Sequence, residues 1–148
     1  MYQRILIATD GSELAGKGLA HGLALAAALR VPVVVVTVTE PWMSAFDDVM
    51  ALSADPELLA RYQEGCARSA QRILQDAVAQ ATTAGVACEA VHVADGYPSE
   101  AIVKAAADHG ADLVVMASHG RSGLGRVLLG SQAQAVLARS TVPVLVVR

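Results

Sequence analysis

The chain has 148 residues, 54% of them hydrophobic but only 3% aromatic, and a formal net charge of −3. That length suits one domain over residues 1–148 with a well-buried core, and the charge gives no electrostatic footprint for nucleic acid. Apolar stretches are broken by charge or Pro well short of a bilayer-spanning length, Met1 to Arg4 carries no signal-peptide pattern, and Cys66 and Cys88 stand apart from any metal-ligand spacing; a cytoplasmic protein with no membrane partner and no metal site of its own is expected.

Ile5-Leu6-Ile7-Ala8 is a short continuous apolar run, the pattern of a strand buried on both faces. It stops at Thr9-Asp10-Gly11-Ser12, where Asp10 and Glu13 read as a capping box opening a helix. Leu14, Leu19, Leu23, Ala26 and Leu29 then recur at helical spacing through Arg30. After Pro32, Val33 to Thr39 is the most β-branched run in the chain and predicts a second strand. Residues 40–56 are the least regular. Trp42, Phe46, Val49 and Met50 fall at i, i+4, i+7 and i+8, which predicts a short amphipathic helix: a local lid on the core, a mobile flap over a neighbouring site, or a partner surface.

Glu57 to Ala84 predicts a long helix with Leu59, Tyr62, Cys66, Ala70, Ile73, Ala77 and Ala81 on one face, ended by Gly85. Val86 to Val93 predicts a third strand, and Pro98 sits near the first position of a helix that stops at Gly110. Asp112 to Met116 is the fourth strand, Ser131 to Arg139 the last helix, and Val144 to Val147 the fifth strand. Alternation of strands and helices in this order predicts an α/β fold: a five-stranded parallel doubly wound sheet, strand order 3-2-1-4-5, with helices on both faces.

In such a sheet ligands bind beyond the carboxyl ends of the strands, where the strand order reverses. That point lies between strands one and four, so Thr9-Asp10-Gly11 and the segment from Ala117 to Ser131 meet there although they are over a hundred residues apart. The second segment holds Gly120, Gly123, Gly125 and Gly130. Glycines between a buried strand and a helix start leave peptide N–H groups free for an anion such as phosphate; a connection that merely needs several turns is the alternative. Gly130 and Ser131 open a helix, so their N–H groups and the positive end of its dipole face that anion. Ser131 adds a hydroxyl, and Arg121 and Arg126 can add charge. Asp10 either caps its helix or meets the ligand, and His119 reads as a turn residue. No catalytic residue is assigned.

Familiar phosphate loops do not match. No Lys follows a Gly in the P-loop arrangement, Gly123-Leu124-Gly125 is not continued as a dinucleotide fingerprint, and Asp95 lacks the Lys near Val147 that a receiver domain needs. What remains is Ala117-Ser118-His119-Gly120, nine residues, then Gly130-Ser131. In this spacing, and in Ile5 to Asp10, Gly110 to Met116 and Pro143 to Val147, the sequence resembles the universal stress protein family, specifically its ATP-binding branch. That branch carries Gly-x-x-Gly, nine residues, then Gly with Ser or Thr; Ala117 stands here in place of the first Gly.

The resemblance implies ATP as ligand, with magnesium or manganese held through its phosphates. Asp10, beside Ala8 and Thr9, would contact the nucleoside, and the backbone at Val38 would bond adenine. Met116 and Ala117 would border the ribose. Gly120, Arg121 and the Gly130-Ser131-Gln132 turn would hold the phosphates. It also implies a homodimer through the C-terminal strand, residues 143–147, whose Val-rich edge invites a second copy. The function so implied is an ATP-binding universal stress protein, a nucleotide-responsive homodimer of the bacterial-type stress response. Two readings stay open beside it: a slow ATP hydrolase, for which Asp10 and His119 are the nearby candidates, and a dimeric interaction module that no longer binds nucleotide.

Overall fold

Five parallel strands form the centre of the molecule: β1 (Ile5–Ala8), β2 (Val33–Val38), β3 (Cys88–Val93), β4 (Leu113–Ala117) and β5 (Val144–Val147). The computed structural model describes residues 1–42, 55–120 and 128–148. The amphipathic pattern through Phe46, Val49 and Met50, and Arg121, Gly123, Gly125 and Arg126, lie outside the described residues. Among the described residues the helices are α1 (Glu13–Leu29), α2 (Pro56–Thr83), α3 (Pro98–Asp108) and α4 (Ser131–Arg139). The strand order is β3-β2-β1-β4-β5, every adjacent pair parallel, as the alternating sequence pattern predicts.

Strand side chains alternate between two apolar layers, because successive residues of a strand point to opposite faces. Ile5, Ile7, Val33, Val35 and Val115 meet Leu19 and Leu23 of α1 and Ala77 and Ala81 of α2. Leu6, Val34, Val36 and Val114 meet Ile102 and Ala105 of α3 and Val136 of α4. Burial on both faces explains why β1, β2 and β4 read as continuous apolar runs. The edges differ. On β3, Glu89 faces outward and pairs with His109 at 3.1 Å and Arg4 at 3.8 Å. β5 presents only half-buried Val and Leu.

Two boundaries depart from the sequence reading, each for a local reason. α1 is capped by Ser12, whose Oγ accepts from the Ala15 N–H at 3.2 Å, so Asp10 is not the helix cap. β3 starts at Cys88, since the Val86 N–H donates to the Ala81 carbonyl at 2.9 Å and remains part of the α2 ending, where Gly85 takes φ +69°. Burial, with help from the neighbouring Glu89 charge, pushes the Cys88 thiol up, which disfavours the thiolate.

Small residues let α1 lie close to the sheet. A Cβ on Gly22 would stand 2.7 Å from Ile7 Cδ1, whereas one on Gly65 in α2 would have nothing within 4 Å. Gly22→Ala should therefore lower stability by about 1–3 kcal/mol through overpacking. Gly65→Ala should raise it by roughly 0.5–1 kcal/mol through backbone entropy. Urea unfolding of the two variants checks the opposite signs.

Candidate functional site

The chain leaves β1 for α1 in one layer and β4 for α4 in the other, so neither connection covers the carboxyl ends of the two neighbouring strands. A cavity of about 720 Å³ opens there. Ala8, Thr9, Asp10, Val38, Met116, Ala117, Gly120, Gly130, Ser131 and Gln132 all line it. Ten of the eleven residues singled out in the sequence thus meet at one place; Arg121 lies outside the described residues.

The strand ends supply one wall. Along β2 alternate peptide groups turn toward β1: the Ile5 N–H donates to Pro32 O at 3.2 Å and the Thr9 N–H to Val36 O at 3.0 Å. By the same alternation the Val38 peptide groups turn that way too, beyond the last of these rungs, and the Thr39 N–H turns the other way to Val93 O. Asp10 follows at the rim, its Oδ1 accepting from the Ser12 N–H at 2.9 Å. Ala117 closes β4, buried, and shares the parity of Leu113 and Val115, so its methyl lies on the α1 face of the sheet.

The opposite wall is the start of α4. Its N-cap is Gly130, which offers no side-chain bond, and the first intrahelical bond runs from the Gln134 N–H to Gly130 O. The amides of Ser131, Gln132 and Ala133 are thus without intrahelical partners at the cavity wall, at the positive end of the helix dipole. The Gly130 amide is not among them, contrary to the sequence reading: it donates to Ser118 O at 2.8 Å. A Cβ on Gly130 would stand 3.0 Å from that same oxygen, so the residue is small in order to close the loop on itself. Gln132 also has a second task. Its Oε1 accepts from the Ser99 N–H at 3.1 Å and caps α3, whose own N-cap Tyr97 makes no side-chain bond. From the other end of α4, Arg139 donates to Ser99 Oγ and Glu100 Oε1 at 3.3 and 3.2 Å.

Sequence reasoning missed a third wall, built by Tyr62, Cys66, Ser69, Ala70 and Ile73 of α2 with Glu40 at the exit of β2. Tyr62 clasps that exit. Its hydroxyl donates to Glu40 O at 3.1 Å, and its ring meets Trp42 edge-to-face, centroids 5.0 Å apart. Desolvation by burial, then the bond to Cys66 and nearby negative charge, push the Tyr62 hydroxyl up to about 12. Its signal in the sequence was its place on the apolar face of α2, where it looked like core. The described charged groups on the cavity walls, Asp10 and Glu40, are both acidic, so attraction for an anion comes from peptide dipoles. Among the described residues no group of three or more His, Cys, Asp or Glu is placed to hold a metal ion, and no helix is long and apolar enough to cross a membrane.

Comparison with known proteins identifies the family and the fold. The profile of the universal stress protein family matches residues 1–148. A universal stress protein of Thermus aquaticus is 36% identical over 148 residues, spanning all of both chains. The universal stress protein MJ0577 of Methanocaldococcus jannaschii is 30% identical over 156 residues, covering all of this chain and 96% of that one; its solved structure superposes with a TM-score of 0.83 over 99% of this chain. A crystal structure of a universal stress protein in complex with cAMP is 27% identical, with a TM-score of 0.70 and coverage of 99% of this chain and 97% of that chain.

The clasp can be tested by titration. The neutral phenol is favoured in the folded chain, so its contribution to stability is complete below pH 10.0 and is lost as pH rises through about 12. The difference between the near-ultraviolet absorbance titrations of wild type and Tyr62→Phe should show a midpoint near 12. A midpoint at the ordinary tyrosine value would show the clasp open in solution.

Proposed function

The chain belongs to the universal stress protein family, and from that premise we propose that it binds an adenine nucleotide, specifically ATP, in the cavity between β1 and β4. One observation carries the reading: the uncapped start of α4 faces the Asp10 rim across a single cavity of ligand size. The cAMP complex of a relative supports an adenine nucleotide as the class of ligand. In this assignment the Val38 peptide groups bond the adenine, and Asp10 with Ala8 and Thr9 holds the nucleoside. Met116 and Ala117 border the ribose. Ser131 and Gln132 take the phosphates, with charge from Arg121, and Gly120 stands beside Asp10. By strand alternation the Ala117 methyl turns to the α1 face of the sheet, and Ala is the next smallest residue after the Gly of the motif. Magnesium or manganese enters on the phosphates.

The protein acts, on this reading, as one cytoplasmic nucleotide-binding domain over residues 1–148 that pairs with a second copy in the stress response. The two sheet edges support the pairing. Glu89 charges the β3 edge, and pairing there would bury its carboxylate; β5 carries only Val and Leu, an edge suited to strand addition over residues 143–147.

Isothermal titration of the purified chain with millimolar ATP and magnesium should show saturable heat, and mass spectrometry of the native protein should reveal co-purified adenine nucleotide. Absence of both would remove ATP as the ligand. Val146→Lys should convert the dimer to a monomer in solution scattering; an unchanged mass would move the interface elsewhere.

A further inference from the structure

Glycine at position 120 is not demanded by the backbone. Among the described residues the positive-φ glycines are Gly11, Gly85 and Gly110, and Gly120 is not one of them, so its φ does not call for glycine. Among the described residues, what a side chain would meet is Asp10: a Cβ on Gly120 would stand 2.8 Å from Asp10 Oδ2 and 3.9 Å from Asp10 Cγ. The other carboxylate oxygen is already fixed, since Asp10 Oδ1 accepts from the Ser12 N–H at 2.9 Å. The carboxylate therefore lies between the Ser12 amide on one side and the bare Cα of Gly120 on the other.

We propose that Gly120 is a positioning residue for the Asp10 carboxylate: the missing side chain on the loop after β4 sets where the acceptor on the loop after β1 is held. The inference rests on the nucleotide reading above and deepens it. A glycine at this place in a phosphate-binding loop would ordinarily be credited with letting phosphate approach. Here the space it leaves is filled by the carboxylate that meets the nucleoside, so its contribution lies at the sugar-and-base end of the ligand. Because the displaced atoms are the tip of one side chain rather than backbone, Gly120→Ala shifts the carboxylate and leaves the core alone.

The closing experiment separates this from a phosphate role and from the nucleotide reading itself. In the ligand-free protein, Gly120→Ala should move the Ser12 amide resonance in the direction that Asp10→Ala moves it, with the thermal midpoint unchanged. With ligand, Gly120→Ala should weaken adenosine and ATP by the same factor, roughly tenfold, the scale of one hydrogen bond to a charged group. Added to Asp10→Ala it should cost nothing further, because the carboxylate it displaces is gone. An unmoved Ser12 amide, or a loss of ATP affinity with adenosine untouched, overturns the proposal. If wild type binds neither ligand, the nucleotide reading falls, while the Ser12 amide still decides whether Gly120 positions Asp10.

Discussion

The molecule depends on one topological constraint: β1 is the central strand, and the chain leaves it and its neighbour β4 toward opposite faces of the sheet. Right-handed crossovers from parallel strands permit nothing else when the strand order reverses at that pair. The carboxyl ends of β1 and β4 are therefore left uncovered while the strands themselves are buried. A cavity at that position costs little, since the core layers on either side close independently. The loops that end β1 and β4 are brought together by the sheet itself, whatever their own sequences.

Chemistry at the cavity follows from what those loops leave unpaired. The acidic groups on the described walls would repel an anion, so binding one falls to the amides of the first turn of α4, which have no side-chain cap to compete for them. The opposite helix start, at α1, is closed by Ser12. The two helix starts that flank the reversal have thus been treated differently, one sealed and one open. That difference gives the cavity a direction, from the uncapped start of α4 at one end to the strand-lined exit of β2 at Val38.

Much of this was legible in the sequence because it is local or periodic. The apolar runs at Ile5 to Ala8 and Leu113 to Met116 could only be strands buried on both faces, and the turn residues after them could only meet at the reversal. Individual roles within the loops were less legible. Asp10 with Glu13 looked like a capping box, but Ser12 lies nearer the helix start and takes the cap. Gly130 looked like an open amide, but that amide closes the loop onto Ser118. The α2 wall was invisible for a geometric reason. At 28 residues α2 is far longer than the strands it packs on, so one apolar stripe serves two surroundings. Ala77 and Ala81 are core, whereas Tyr62, Cys66, Ala70 and Ile73 continue the same face past the strand ends into the cavity. Periodicity reports that a face is covered and cannot say by what.

The side chain of Gln132 has a mechanical consequence. It ties the first turn of α4 to the start of α3, and Arg139 ties the last turn of α4 to the same place. Fastened to α3 at both ends, α4 presents its first turn to the cavity, and residues 140–143 lead from its last turn to the edge strand β5. The cavity wall and the sheet edge are thus joined by one helix of nine residues.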